Sequence, residues 1–284
     1  MNTEKHRMLL IGGDLCRRAG AILLAQGHEV WALRRHPPAN HAGGLRWLAA
    51  DLNQADSLAC LPASISHVLY AVAPGERSPQ AYRAAFLDGA ANLLATLDHK
   101  ALRRFMFVSS SAVYGDSTDW IDEDTPARPQ SYNGEILLKA ENRLRQSLGE
   151  KAVALRLSGL YGPGRTQLLD RLRRGSATVP AHGDHWANRF HIEDAARACA
   201  HLLRLGQALP YYVGSDDKPM RMAQLYDALA DMLGAPRPAR SDASQGEASG
   251  KRLNNARLKA SGFALDWPDA IEGYRALITA AGAR

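Results

Sequence analysis

Gly12-Gly13-Asp14 directly follows an apolar run, Met8-Leu9-Leu10-Ile11, and precedes Leu15, Ala19, Ile22, Leu23 and Gln26 at helical spacing. A buried strand, a glycine turn and a helix in that order make a phosphate site. The first amides of the helix, at Asp14 and Leu15, point outward where the helix dipole favours a diphosphate. Glycine leaves the backbone bare, so phosphates can approach it. The pattern departs from GxGxxG: with Gly13 as the second glycine, Ile11 stands first and Cys16 third, whereas with Gly12 as the first the loop is one residue shorter. A plain strand-to-helix turn is the competing reading. An Asp or Glu roughly 20 residues further on would take a ribose 2′-hydroxyl. That stretch reads Trp31-Ala32-Leu33-Arg34-Arg35, with no acid. Two guanidiniums suit a 2′-phosphate held bidentately, so NADP(H) is expected over NAD(H), with a solvated arginine pair as the alternative.

The elements that must position these groups alternate between apolar runs and helical patterns. Strands are predicted at Met8 to Gly12, His28 to Leu33, Leu45 to Ala49, His67 to Ala73, Arg104 to Ser109 and Ala152 to Leu157. Helices are predicted after Gly13, over Pro79 to His99 and over Tyr132 to Leu148. This alternation predicts an α/β fold, a doubly wound parallel (Rossmann) sheet, with a smaller C-terminal substrate lobe. The division is expected near residue 164, giving a dinucleotide-binding part over 1–164 and a substrate part over 165–284, interleaved. Ala235 to Gly250, rich in Pro, Ala, Ser and Gly, reads as a surface segment.

Composition narrows the partners. The 284 residues carry 35 Lys and Arg against 29 Asp and Glu, a formal charge of +6. The arginines are dispersed among acids, with no stripe and no nucleic-acid motif, so nucleic acid is not expected and an anionic small molecule explains the sign. No apolar stretch reaches the roughly 18 to 20 residues that span a bilayer. Met1 to Arg7 lacks the apolar core of a secretory signal. Three scattered cysteines, Cys16, Cys60 and Cys199, make neither metal-ligand spacing nor a disulfide framework; a cytoplasmic location is expected, and no metal.

Several segments resemble the extended short-chain dehydrogenase/reductases, the NAD-dependent epimerase/dehydratase family. They are Ala50-Asp51-Leu52, Tyr70 to Pro74, Phe107 to Gly115, Leu155 to Arg165 and Arg189 to Ala196. The resemblance implies that Asp51 bonds the adenine amine while Leu52 packs on its ring. It implies that Ala71 and Ala73 line the dinucleotide and that Leu157, Ser158 and Gly159 lie against the nicotinamide. Ser110 matches the Ser/Thr that bonds the reacting oxygen, and Arg165, Asn188 and His191 fall where the family meets substrate. Each also has a structural reading: Asp51 as a loop cap, Ser110 as a turn residue, His191 as a helix cap.

The family's Tyr-x-x-x-Lys pair is absent. The helix reads Tyr132-Asn133-Gly134-Glu135-Ile136-Leu137-Leu138-Lys139-Ala140-Glu141, with Ile136 four residues after Tyr132. Anchoring on Glu141 instead puts Asn133 and Leu137 at the two positions. A tyrosine without a lysine beside it is ionised only about one part in a thousand at pH 7. Proton transfer would fall to Tyr132, with Tyr114, Tyr161 or water as alternatives. Two functions follow: an NADP-dependent oxidoreductase or epimerase acting on a small hydroxylated or nucleotide-linked sugar, or a non-catalytic dinucleotide sensor. A homodimer through the helices at Pro79 to His99 and Tyr132 to Leu148 is expected by the same resemblance.

Overall fold

The computed structural model describes residues 4–38, 44–117, 119–181, 185–241 and 250–282. Its centre is a seven-stranded parallel sheet. The strands are β1 (Arg7–Gly12), β2 (Glu29–Arg34), β3 (Arg46–Ala49), β4 (His67–Ala71), β5 (Arg104–Ser110), β6 (Ala152–Leu157) and β7 (Tyr211–Gly214). Their order is β7-β6-β5-β4-β1-β2-β3. The chain therefore steps outward from β1 to one edge, returns, and steps outward to the other, which sets the carboxyl ends of β1 and β4 side by side. Met8 to Ile11, Val68 to Tyr70 and Phe105 to Phe107 are buried, as strands covered on both faces must be.

The contact map divides the chain into two units. The first comprises Met1–Val113, Ala127–Arg156 and Ala196–Tyr212. Here α1 (Asp14–Ala25) ends before Gly27, whose φ of +86° only glycine takes without strain. Ser78 then caps α2 (Pro79–Arg83) by accepting the Ala81 amide at 3.1 Å. The periodicity predicts one helix from Pro79 to His99, but the structure interrupts it. A wider π turn covers Ala84–Asp88, α3 (Gly89–Thr96) follows, and Leu97 is extended. The Tyr70 hydroxyl donates to the Ala85 carbonyl at 2.6 Å, drawing that oxygen toward the sheet where the turn widens.

The helix α4 (Tyr132–Leu148) matches its predicted span. It is fixed to β6 by a buried pair, Glu141 with Arg156. Arg104, at the start of β5, donates to the carbonyls of Leu202, Leu205 and Gly206 and so closes the C-terminal end of α5 (Ile192–Arg204).

The second unit comprises Tyr114–Pro126, Leu157–Ala195 and Val213–Arg284. Short strand pairs build it: Gly159–Tyr161 beside Arg189–His191, and Trp120–Ile121 beside Arg252–Leu253. Its core gathers Tyr161, Leu169, Leu172, Leu225, Leu229 and Tyr274. The last of these lies on α6 (Ala270–Gly282).

Candidate cofactor-binding site

Gly12 is glycine for a visible reason. Its φ is +147°, and a Cβ there would stand 2.2 Å from the Ala71 carbonyl oxygen on β4. A Cβ on Gly13 would meet nothing within 4 Å, so the turn is closed on the sheet side and open outward. No side chain caps the N-terminus of α1. Its amides at Asp14 and Leu15 therefore lie beside a bare, open turn, the shape a diphosphate needs. Leu15 is buried and offers only its backbone. The Asp14 carboxylate takes both Arg17 and Arg18, at 2.8 and 3.0 Å.

Cys16 stands where a third glycine is common. It is buried, and its Sγ lies 3.2 Å from the Cβ that Gly12 lacks. Burial pushes its thiol up to about 12, against smaller opposing effects of a hydrogen bond with the Ile11 backbone and the charge of Arg34. The charge of Arg34, the last residue of β2, is thus felt at Cys16 in the first turn of α1. Arg34 and Arg35 are exposed, and among the described residues neither has an ion-pair partner.

Asp51 and Leu52 follow β3. Asp51 Oδ1 accepts the Asn53 amide at 3.0 Å, and the Asp51 amide donates to Ser57 Oγ at 3.0 Å, so the residue does cap its loop. The Leu52 carbonyl accepts from Asn92 Nδ2 at 2.8 Å. Ala71 ends β4 and Ala73 is exposed just beyond it.

Ser110 ends β5, and its Oγ accepts the Ala112 amide at 3.2 Å. A Cβ on Gly134 would stand 2.1 Å from the Ala112 carbonyl oxygen, so α4 lies backbone against backbone on the loop after Ser110. This brings Tyr132, the first residue of α4, to the same corner as Ser110. Tyr132 is half-buried and meets Tyr82 edge-to-face, ring centres 5.4 Å apart. In the register anchored on Glu141 the two family positions fall on Asn133, whose side chain is engaged by the Ser131 hydroxyl, and on Leu137; counted from Tyr132 the second falls on Ile136, and both Ile136 and Leu137 are only 4% exposed.

In the second unit the Ser158 amide donates to the Gly214 carbonyl at 2.9 Å, and Leu157 packs under Gly214. Gly159 leaves room for the Arg189 guanidinium, 2.6 Å from the missing Cβ. Arg165 is half-buried and its amide donates to the Gly162 carbonyl. Asn188 straps a strand: it donates to the Lys251 carbonyl and accepts the Leu253 amide at 2.9 Å. His191 is buried between Tyr161 and Trp267, ring centres 5.1 and 4.8 Å away, and its Nδ1 accepts the Glu193 amide at the start of α5. Burial pushes the Tyr161 phenol up, which argues against that residue as a base.

Sequence reasoning did not single out Asp216. It is 2% exposed, both its carboxylate oxygens lack a hydrogen-bond partner among the described residues, and burial pushes the acid up to about 8. Its only sequence signal is its place just after a strand. Among the described residues, no group of three or more His, Cys, Asp or Glu could hold a metal, and no helix is long and apolar enough to cross a membrane.

A doubly wound parallel sheet with a glycine turn between β1 and α1 is the architecture of Rossmann proteins. The sequence pattern of the NAD dependent epimerase/dehydratase family matches residues 10–214, and the chain belongs to that family. It is 32% identical to a Methylobacillus flagellatus protein named as a candidate NAD-dependent epimerase/dehydratase. The two structures superpose with a TM-score of 0.83 over 98% of this chain and 100% of the other. The UDP-glucose 4-epimerase of Thermus thermophilus, solved with NAD, shares the fold at 20% identity and a TM-score of 0.77, over 96% of this chain and 98% of its own. Protein YeeZ of Escherichia coli K12 is 33% identical over 171 residues, 59% of this chain, and the match spans 60% of that relative's length.

Proposed function

We propose that this chain is an NADP(H)-dependent oxidoreductase or epimerase acting on a small hydroxylated or nucleotide-linked sugar substrate. The observation that carries the reading is the Gly12–Gly13 turn, closed against Ala71 and open outward, together with Arg34 and Arg35 at the end of the next strand, which have no carboxylate partner among the described residues. The residues present fit a dinucleotide. Gly12, Gly13 and the amides of Asp14 and Leu15 would hold its diphosphate. Arg34 and Arg35 would hold a 2′-phosphate, Asp51 and Leu52 the adenine, and Ala71 and Ala73 the adjoining wall. When bound, the nicotinamide supplies hydride chemistry. Ser110 would donate a hydrogen bond to the reacting oxygen and Tyr132 would exchange a proton with it. In the second unit, Leu157, Ser158 and Gly159 are proposed for the nicotinamide and Arg165, Asn188 and His191 for substrate, on family likeness.

NADPH and NADH titrations of the wild type and of Arg34→Ala/Arg35→Ala test the cofactor. The wild type is expected to prefer NADPH, and the double variant to lose about tenfold or more of that preference. An unchanged preference removes the assignment. For turnover, single-turnover oxidation of bound NADPH by a panel of carbonyl compounds is expected to slow about a hundredfold in Ser110→Ala. Equal rates in the two proteins would exclude Ser110.

Buried Leu137 favours a second reading, a dinucleotide sensor without turnover. Partner or oligomer exchange on adding NADPH, with no nucleotide consumed, would select it.

A further inference from the structure

Three histidine rings meet where strands of the central sheet begin, at the end opposite the glycine turn. His6 stands just before β1, His28 just before β2, and His67 is the first residue of β4. The His6 ring is stacked on that of His28, centres 5.2 Å apart, and lies 4.4 Å from that of His67. His28 and His67 are buried. The backbone is tied through the same rings. The His6 amide donates to His28 Nδ1 at 3.3 Å, a bond that exists only while that nitrogen carries no proton. The His6 carbonyl accepts the Glu29 amide at 3.0 Å. His67 Nδ1 lies 2.9 Å from the Ser66 hydroxyl, which accepts the Arg7 amide at 3.2 Å. The surroundings are cationic. Arg103 and Arg204 act on His6, Arg204 on His28, and Arg103 and Arg104 on His67. Glu4 opposes them at His6 but is itself paired with Arg103, and Glu29 is taken by Lys5, Arg7 and Arg46. Burial holds all three histidines below their usual range, His67 at about 3, and the arginines push the same way.

We propose that His6, His28 and His67 form an acid-sensitive latch: uncharged rings hold the start of β1 against β2 and β4, and charged rings release it. A proton on His28 Nδ1 removes the acceptor of the His6 amide. Charging His6 as well sets two cations 5.2 Å apart beside arginines of like sign. A histidine in the open chain takes its proton near pH 6.5, above the range the fold imposes. Stability from the latch is therefore full above that pH and is lost as pH falls below it. The latch stands whichever molecule the glycine turn holds.

Amide hydrogen exchange over residues 4–12, corrected for its intrinsic dependence on pH, reads the latch directly. From pH 6 to pH 5 the opening constant of this segment is expected to rise about tenfold for each histidine that gains a proton on opening. In His28→Asn/His67→Asn the Oδ1 atoms stand in for the two Nδ1 atoms but do not titrate. That variant is expected to lose about tenfold or more of the rise. Ring titration of the wild type by NMR needs no substitution, and the His67 ring is expected to stay uncharged at pH 5 in the folded chain. An opening constant that is the same at pH 6 and pH 5 overturns the latch. So does an equal rise in the folded variant, or a His67 ring that charges above pH 6 while β1 keeps its protection.

Discussion

Replacing Asp216 by asparagine is expected to stabilise the protein by about 3–5 kcal/mol above pH 8 and to destabilise it by about 1–3 kcal/mol near pH 4. The carboxyl is buried, its oxygens lack a well-formed hydrogen bond among the described residues, and burial lifts it from 3.8 to about 8. The nearby Asp269 adds to that, while a weak approach of the Ala270 amide and the charge of Arg189 offset part of it. Between those two pH values the folded protein holds a proton that the unfolded chain releases. Stability from this group is therefore full below pH 3.8 and falls as pH rises toward 8. A shift of about 4 units sets a ceiling near 6 kcal/mol. The asparagine amide remains buried and takes back about 1–3 kcal/mol of that. Urea melts of both proteins from acid to alkaline pH read the difference directly. Parallel stability curves across the range would mean that Asp216 is charged and satisfied in the fold.

The opposite sign is expected at Glu141. Arg156 Nε lies 3.2 Å from both Glu141 oxygens and Nη2 lies 2.7 Å from Oε2. The side chains are 4% and 0% exposed for Arg156 and Glu141, and the guanidinium rests 4.2 Å over the Tyr211 ring. Glu141→Leu leaves a buried cation without its counter-charge and is expected to lose about 3–5 kcal/mol. Glu141→Leu/Arg156→Met removes both charges at similar volume and should recover most of that loss. The comparison needs only denaturant midpoints. If single and double variants lose equally, the pair matters through packing and not through charge.

The difference between these two acids shows what a sequence can reveal. The strand, glycine turn and helix at Met8 to Ala25 were legible because each signal is local: apolar run, bare backbone, helical spacing. Helix α4 was legible from Tyr132 to Leu148 for the same reason. Asn188 was different. Its two strap bonds reach residues 63 and 65 positions away, so no local pattern announces them. The π turn at Ala84–Asp88 coincides with a hydroxyl on a neighbouring strand, and the helical periodicity of that segment does not register it. Asp216 looks like any polar residue after a strand until the packing around it is known.

The burial of Leu137 limits what a lysine installed in α4 could do. Its place under α4 belongs to the oily interior, at 4% exposure, while Gly134 presses that helix onto the Ala112 carbonyl with no slack to lift. An ammonium installed at position 137 would be stranded away from water, a penalty of several kcal/mol without a partner. Tyrosine at 133 with lysine at 137 would therefore not by itself make a working Tyr/Lys pair. The surrounding side chains would have to be hollowed out first.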